Sequence, residues 1–321
     1  MTMAQHKIIL DTDPGIDDAM AIFTAISHPD IELLGLTTTF GNVSVDQATQ
    51  NALTLVEMAG SETPVAQGVA TPMIKPLAEF PDFVHGVDGF GNLNLAPPER
   101  ASLTQSAAEF IVDQANQSPG EIVIVAIGPL GNLAQALQLD PELPSKIKQV
   151  VIMGGVIATD GNVSPVAEAN ILSDPHAADK VMAAGWPLVM VGLDVTHQIM
   201  LPRSLFKRIA EENPKVGSFM QRAAKFYIDF YSSVRNIDGC YSHDVSALAY
   251  VVHPELFETV SGPICVATEG VAMGQTIMSR YGIPYMLDYW KDRPDQKACM
   301  GVDDIGVVDF FAAAMTNSYW S

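Results

Sequence analysis

Short apolar runs alternate with longer amphipathic segments along the first two thirds of the chain. The runs predict strands and the segments, with apolar residues at helical spacing, predict helices. The predicted strands are Lys7–Leu10, Leu33–Thr39, Glu121–Ile127, Val150–Met153 and Leu188–Leu193. The predicted helices are Asp17–Ala25, Val45–Met58, Ser106–Asn116, Gly131–Leu137 and Asp174–Ala184. Because near-continuous apolar strands that alternate with helices are typical of parallel sheets, we expect a single α/β domain over residues 1–321, with a mainly parallel central sheet and helices on both faces.

Two of the predicted helices have marked starts. Ser44 stands three residues before Gln47, which is the spacing of a capping box. Asp174 followed by Pro175 predicts an N-cap with proline at the first helical position, and Gly185 ends that helix.

Two stretches interrupt the alternation. Residues 71–100 are rich in proline and glycine, and residues 219–243 begin as an aromatic-rich helix and end irregularly. Long irregular segments in a compact domain are usually functional or disordered. We therefore expect both to be mobile segments that close over a site and control the access of water.

Composition narrows the possible partners. The 321 residues are 48% hydrophobic and 17% charged, and the formal net charge is −20. Such a chain buries a large core, and its charge disfavours binding to nucleic acids and to anionic membranes. We find neither a transmembrane run nor a signal peptide and expect a cytoplasmic protein. Cys240, Cys265 and Cys299 are too scattered for a disulfide framework or a zinc site, and we expect them to be reduced.

Candidate functional residues are most closely spaced in the segment Asp11-Thr12-Asp13-Pro14-Gly15-Ile16-Asp17-Asp18, which follows the first predicted strand. Asp11 and Asp13 alternate onto the same face of the strand, and the Pro-Gly turn then brings Asp17 and Asp18 to the start of a helix. Each aspartate alone would be ordinary as a turn former or as a partner of the helix dipole. Together they place a costly amount of negative charge in one place, which predicts a hard divalent cation with oxygen ligands.

Further polar residues follow the other predicted strands. In open parallel sheets ligands bind beyond the carboxyl ends of the strands, so these residues should line one rim. They are Asn42, Asn132, Asn162, Glu168, Asn170, Asp194, His197, His243 and Asp244. The rim has almost no cationic side chain and the chain has no Walker motif, so a neutral polyol on a metal fits better than a phosphate.

Taken in order, these motifs resemble those of the inosine-uridine preferring nucleoside hydrolases. The matching segments are Asp11–Ala19, Gly41-Asn42, His85-Gly86, Gly128-Pro129-Leu130-x-Asn132, Val151–Gly155, Ala167-Glu168-x-Asn170, Asp174-Pro175, Gly192–Thr196 and His243-Asp244. The resemblance implies a nucleoside hydrolase-like fold with an open Rossmann-like core. It also implies a calcium-dependent enzyme of nucleoside salvage that hydrolyses ribonucleosides to ribose and free base, and that forms a homotetramer or dimer.

The resemblance further implies a set of metal ligands. Asp13, Asp18 and Asp244 match the carboxylates that bind Ca²⁺, and the main-chain carbonyl of Gly131 completes the protein ligands. Asp11 would lie beside the metal and orient its ligands or the water.

It also implies the substrate contacts. Asp17, Asn42, Asn162, Glu168 and Asn170 match residues that hold ribose hydroxyls. His85 and His243 match histidines on the two mobile segments that close over the nucleoside. Two assignments are less specific: Met153 belongs either to the core or to the sugar pocket, and Tyr231 is the better aromatic candidate for contacting the base.

The expected reaction follows from this arrangement. Ca²⁺ can bind carboxylates, a water and two vicinal hydroxyls together. Asp13 would take a proton from the water as it attacks the anomeric carbon through an oxocarbenium-like transition state. His243 is the candidate acid for the leaving base, and the alternative is a structural histidine that is hydrogen-bonded beside Asp244.

Two positions depart from the usual pattern of the family. Gly131 replaces a common threonine, which should keep the backbone ligand but loosen its loop. Ala169 replaces a common phenylalanine, which opens space near the far end of the sugar or the base. Purine and pyrimidine preference therefore stays open in the sequence.

Two other functions fit parts of the pattern. A strand that ends in Asp-x-Asp also begins the haloacid-dehalogenase-type phosphohydrolases, which would require Mg²⁺ and a phosphate-binding lysine. A non-catalytic nucleoside- or pentose-binding protein could keep the same metal site.

Overall fold

The computed structural model describes residues 5–280, 283 and 285–320, and its centre is one large sheet. Nine strands form this sheet within the described residues: β1 (His6–Thr12), β2 (Ile31–Thr38), β3 (Val65–Gln67), β4 (Ile122–Ala126), β5 (Gln149–Met153), β6 (Leu188–Val191), β9 (Phe257–Val266), β10 (Thr276–Met278) and β11 (Asp295–Val302). A separate two-stranded ribbon pairs β7 (Met200–Pro202) with β8 (Gly239–Tyr241).

The strand order across the sheet is β10-β9-β11-β6-β5-β4-β1-β2-β3. From β11 to β3 neighbouring strands are parallel, and β9 pairs antiparallel with both β11 and β10. The first strand therefore lies inside the parallel part, between β4 and β2, and its carboxyl end is covered by neighbours on both sides.

Helices cover both faces of the sheet, and each face has its own apolar core. They are α1 (Ile16–Ser27), α2 (Val45–Ala59), α3 (Asp82–His85), α4 (Ala107–Gln117), α5 (Gly131–Leu139), α6 (Leu143–Lys146), α7 (Ala169–Ser173), α8 (Pro175–Met182), α9 (Leu193–Thr196), α10 (Arg203–Glu212), α11 (Gly217–Arg235), α12 (Asp244–Val252) and α13 (Asp304–Thr316). The expected α/β fold with a mainly parallel sheet is confirmed.

The five predicted strands all exist, with ends that differ by one or two residues. One residue differs in its type of secondary structure: Leu193 is predicted at the end of a strand but begins helix α9. Six strands of the described residues were not predicted. Four of these, β3, β7, β8 and β10, are only three residues long, and β9 carries polar and exposed residues because it lies near the edge of the sheet.

The capping predictions are confirmed in part. The Ser44 hydroxyl accepts a hydrogen bond from the Gln47 amide at 3.3 Å, but the Gln47 side chain donates to Asn51 rather than completing a capping box. Asp174 caps α8 through the amide of Ala177, as expected, although that helix ends at Met182 and not at 184.

Helix α1 is buried along almost its whole length, since it packs against α2, α11, α12 and α13 as well as the sheet. Gly15 is its N-cap, and the Asp18 carboxylate accepts the Gly15 amide hydrogen at 2.9 Å. This cap fixes the Pro-Gly turn, so the carboxylates before and after the turn meet at the carboxyl end of β1.

Within the described part of the chain, the helices are all too short or too polar to cross a membrane.

Candidate active site

Asp11 is held beneath the site by neutral donors. It is fully buried, and its Oδ1 atom accepts hydrogen bonds from Thr37 Oγ1 at 2.5 Å and from Asn132 Nδ2 at 2.7 Å. The other carboxylate oxygen, Oδ2, is buried and has no partner. Burial raises the pKa of Asp11 to about 7, although the hydrogen bonds from Thr37 and Asn132 oppose this shift.

Asp13 and Asp18 meet across the Pro-Gly turn. Asp18 accepts hydrogen bonds from the Thr12 hydroxyl at 2.6 Å and from the Asn42 side chain at 2.9 Å. The Asn42 amide donates to Asp13 Oδ2 at 2.6 Å, while Asp13 Oδ1 is buried without a partner. One oxygen of Asp13 is therefore fixed, and the other is free to bind an external group.

Gly41 and Gly128 allow neighbouring loops to approach Asp13 closely. A Cβ atom at Gly41 would overlap the Asp13 Oδ2 atom, and one at Gly128 would overlap Oδ1. The loops after β2 and β4 can therefore cover Asp13 only because both positions lack a side chain.

Asp17, Asp18 and Asp244 form an acidic cluster whose oxygens lie within 4.8 Å of one another. All three residues are buried, and Asp17 Oδ1 has no hydrogen-bond partner. Asp17 is 3.8 Å from the His85 ring nitrogen, and no lysine or arginine among the described residues forms an ion pair with the cluster.

Burial is the main cause that raises the pKa of each of these carboxyl groups above its usual value. It raises the pKa of Asp17 and of Asp18 to about 6. The pKa values of Asp13 and Asp244 are also raised, since burial is reinforced by the charges of the other aspartates.

The acidic cluster fits a cation. Several buried carboxylates lie close together and their charges repel, and Asp17 Oδ1 in the cluster and Asp13 Oδ1 beside it lack hydrogen-bond partners. A divalent ion would supply the missing positive charge, and oxygen donors are the ligands that hard cations prefer.

The two predicted histidines lie at this cluster. His85 ends α3, is buried, and accepts a hydrogen bond from the Ile16 amide through Nδ1 at 3.2 Å. Its ring stacks on Tyr227 with a centroid distance of 5.3 Å. Burial lowers the pKa of His85 to about 4, and burial also lowers the pKa of His243, so both rings are neutral at pH 7.

A continuous series of side-chain contacts joins the acidic cluster to His243. The Tyr227 hydroxyl donates to Asp17 Oδ2 at 3.1 Å and lies 3.3 Å from the Tyr231 hydroxyl. Tyr231 in turn lies 2.9 Å from His243 Nε2, and Thr196 Oγ1 lies 2.9 Å from His243 Nδ1. Helix α11 supplies both tyrosines, which face the site because they are one helical turn apart.

Glu168, Asn162 and Asn170 form the opposite wall. Glu168 caps α7, and its carboxylate accepts the amides of Gly155, Asn170 and Ile171. The Asn170 side chain donates to the carbonyl oxygens of Ile127 and Met153, at 2.8 and 3.1 Å.

Most of the predicted substrate and catalytic residues line one cavity of about 450 Å³. The cavity is lined by Asp17, Asn42, His85, Met153, Asn162, Glu168, Asn170, Tyr231, His243 and Asp244, together with other residues. Asp13 instead lines an adjoining cavity of about 340 Å³, which shares Asn42, Ala169 and Asn170 with the first.

Gly131 is the first residue of α5 and packs against Val69. A Cβ atom at Gly131 would lie 2.6 Å from Val69 Cγ2, so the threonine that is common at this position would require Val69 to move. Gly131 and Val69 are therefore complementary in this chain.

Three residues of the site were not identified from the sequence. Arg235 lines the cavity, the Tyr227 hydroxyl donates to Asp17, and Thr196 lies beside His243. His197 and Asn132 are expected on the polar rim without a specific role. The ring centroid of His197 is 5.6 Å from that of His243, and the Asn132 side chain donates to Asp11. The position of Thr196 within the Gly192–Thr196 motif was the available signal.

The parallel α/β fold and a cavity lined by buried carboxylates and amides are those of a nucleoside hydrolase, as the comparisons with known proteins show. A family model for the inosine-uridine preferring nucleoside hydrolases matches residues 8–309, and the chain belongs to that family. It is therefore an enzyme that hydrolyses the N-glycosidic bond of ribonucleosides, and the phosphohydrolase and non-catalytic alternatives are set aside.

Individual relatives agree with this assignment over nearly the whole chain. A protein of Arabidopsis thaliana named probable uridine nucleosidase 2 is 42% identical over 307 residues, which are 95% of this chain and 95% of that protein. The solved structure of the plant nucleoside hydrolase PpNRh1 has a TM-score of 0.94 at 36% identity and covers 97% of this chain and 99% of that chain. A purine-preferring ribonucleoside hydrolase from Gardnerella vaginalis has a TM-score of 0.90 at 35% identity, covering 97% and 98%.

Proposed function

We propose that this enzyme is a calcium-dependent hydrolase that cleaves uridine in preference to inosine. The observation that carries the proposal of a metal-dependent reaction is the buried acidic cluster, with unpartnered oxygens on Asp17 and on the neighbouring Asp13, next to a cavity lined by carboxylates and amides. The proposed base preference is supported by the name of the Arabidopsis relative, which is more similar to this chain than the purine-preferring hydrolase is.

Asp13, Asp18 and Asp244, with the Gly131 carbonyl, are the proposed ligands of Ca²⁺, and Asp11 supports them from beneath. The bound ion would lower the pKa of a water molecule and bind the vicinal hydroxyls of the ribose. Asp17 belongs to the same cluster by distance, and we assign it to a ribose hydroxyl.

Asp13 is the proposed general base. Its Oδ2 atom is occupied by the Asn42 amide, so the unpartnered Oδ1 atom is the one available to receive a proton from the attacking water. In the metal-free protein, burial and the neighbouring aspartates raise the pKa of this group; a bound cation would oppose that shift and keep Asp13 ionised, as a base must be.

The amides and Glu168 are proposed to hold the sugar. Asn162 Oδ1 accepts the Ala169 amide at 3.0 Å, which leaves the Asn162 NH₂ group available to a ribose oxygen. Glu168 is held by three backbone amides, so its position is fixed before the substrate arrives. Asn42 and Asn170 complete the set, and Met153 packs behind it.

His243 is the proposed source of the proton for the leaving base, with Tyr231 beside it. His243 is neutral, so it can donate only the one N–H that it carries, and the Tyr231 hydroxyl is 2.9 Å from its Nε2 atom. In the balanced reaction, the bond from C1′ to the base nitrogen breaks, the water oxygen bonds to C1′, and the base gains a proton.

Substitutions separate these roles. Asp13→Asn should lower kcat by at least about 1,000-fold while calcium still binds, since the base is lost but one ligand oxygen remains. Asp244→Ala should chiefly weaken calcium and sugar binding, which raises the calcium concentration needed for half-maximal activity. The measurements are ribose release from uridine, inosine and cytidine, and calcium binding by calorimetry. Equal and mild effects of both variants would contradict the role assignments, and faster cleavage of inosine than of uridine would contradict the proposed preference.

Three expectations from the sequence remain predictions. The segments 71–100 and 219–243 should close over the bound nucleoside, the subunits should form a homotetramer or dimer, and the enzyme should be cytoplasmic. Light scattering of the purified protein measures the subunit number.

A further inference from the structure

The second cavity beside the active site is mostly apolar. Beyond the wall that it shares with the active-site cavity, it is lined by Phe40, Leu77, Ala78, Phe80 and Leu172. Its inner end reaches Asn42 and Asp13. The wall between the two cavities is formed by the residues that line both, and Ala169 carries the smallest side chain among them. They are Asn42, Pro81, Phe83, Val163, Ala169 and Asn170.

The rim of this cavity exposes apolar side chains to solvent. Leu77 is 41% exposed, Phe83 is 66% exposed and Val163 is 50% exposed. Three large apolar side chains around one opening form a surface that an apolar ligand group would cover with a gain in free energy.

The charged groups of the cavity do not favour an anion. Lys75 Nζ already donates to the Leu172 carbonyl at 2.8 Å, and Asp174 lies near it. Glu79 and Asp82 also line the cavity and are acidic. A phosphate or carboxylate would meet these acids with no free cation to compensate it.

The orientation of the substrate follows from the proposed function, on which this inference rests. If the diol binds at Asp17 and at the proposed cation, and the base faces Tyr231 and His243, the 5′ carbon must point to the other end of the sugar. The reason is that C1′ and C4′ lie on opposite sides of the ring oxygen. That other end is the Glu168–Asn170 wall, with the apolar cavity behind Ala169.

We propose that this cavity is a subsite for apolar 5′-substituents, so that the enzyme also hydrolyses ribonucleosides whose 5′-hydroxyl is replaced by a small apolar group. Ala169 and Leu77 determine this specificity. The reaction is the same hydrolysis, and only the group carried on C4′ changes.

The experiment uses uridines and inosines in which the 5′-hydroxyl is replaced by methylthio, ethylthio or propylthio. All members of this series lack the 5′-hydroxyl, so the loss of its hydrogen bonds lowers kcat/KM equally for each of them and does not affect the comparison between them. In the wild-type enzyme kcat/KM should rise about fourfold for each added methylene, which is the value expected when a CH₂ group is fully buried. A steady fall from methylthio to propylthio would overturn the proposal.

Two variants test the location of the subsite. Leu77→Trp fills the cavity from its exposed rim and should abolish the rise along the series, with each kcat/KM expressed relative to that for unmodified uridine in the same variant. Ala169→Phe closes the shared wall and should lower kcat/KM for propylthio-uridine relative to uridine by at least tenfold. Leu139→Trp, at another exposed position, is the matched control and should leave the series unchanged. A rise that survives both Leu77→Trp and Ala169→Phe would refute the assigned place.

Failure of the proposed function is distinguishable from failure of this inference. If calcium-loaded enzyme cleaves no nucleoside, the proposed function fails, and the subsite is then measured by calorimetric binding of the same series. Affinities that do not increase from methylthio to propylthio would overturn the inference in that case as well.

Discussion

Replacing Asp11 by asparagine should stabilise the metal-free protein at high pH. Asp11 is fully buried, and its partners Thr37 and Asn132 both donate to the same oxygen, Oδ1. Asparagine can place its own Oδ1 atom there and keep both hydrogen bonds. Its NH₂ group then takes the place of Asp11 Oδ2, which has no partner now.

The magnitude follows from the raised pKa. Burial raises the pKa of Asp11 from 3.8 to about 7, so the folded protein binds this proton more tightly than the unfolded chain does. The tighter binding of this proton stabilises the folded protein. This stabilisation is complete below pH 4 and is lost as the pH rises to about 7. At 1.36 kcal/mol per pKa unit, the ionised group costs about 4 kcal/mol at pH 8, of which about 3 kcal/mol arises between pH 5 and pH 8.

The neutral variant avoids this cost but buries an unpartnered NH₂ group, which costs about 1–3 kcal/mol. Asp11→Asn should therefore be about 1–3 kcal/mol more stable than wild type at pH 8 and no more stable than wild type at pH 5. Its activity should fall, because the support beneath the metal ligands has lost its charge.

The assay is urea unfolding of both proteins at pH 5 and pH 8 in the presence of EDTA. Asp309→Asn, at an exposed position on α13, is the control and should give the same difference from wild type at both pH values. A difference between Asp11→Asn and wild type that does not change from pH 5 to pH 8 would refute the reasoning about Asp11.

Two further predictions concern the shape and the charge of the site. Gly41→Ala should lower kcat/KM by about 100-fold or more, because the added Cβ atom overlaps Asp13 Oδ2 and displaces the proposed base. Gly301→Ala, whose new methyl group would meet only the Glu258 side chain, is its control in the same ribose-release assay, and equal losses in the two variants would contradict the explanation. Calcium should raise the melting temperature of EDTA-treated protein more at pH 8 than at pH 5, because Asp18, a proposed ligand with a pKa of about 6, must lose its proton to bind it. Identical melting curves with and without calcium at pH 8 would contradict this prediction.

The parallel part of the fold could be predicted from the sequence for a physical reason. Strands such as β4 and β5 are covered by helices on both faces, so nearly every side chain in them is apolar and the run is visible in the sequence. By contrast, β9 lies near the edge, mixes buried and exposed residues without a regular period, and contains glycine and proline, so its sequence shows no strand pattern.

The acidic part of the candidate site could also be predicted, because local geometry brings it together. Alternation along β1 and a single turn into α1 are enough to place Asp11, Asp13, Asp17 and Asp18 at one strand end.

The leaving-group side depended on the tertiary structure. Tyr227 meets Asp17 across 210 residues of sequence, and His197 meets His243 through the packing of α9 against the region before α12. Likewise, the apolar cavity behind Ala169 exists only because residues 75–83 lie over α7. Sequence alone determined the central parallel strands β1, β2, β4, β5 and β6 and the carboxylates at the end of β1, since short-range periodicity and turn chemistry encode them. Packing decided which distant side chains complete the site, because contacts between residues far apart in the chain produce no periodic pattern in the sequence.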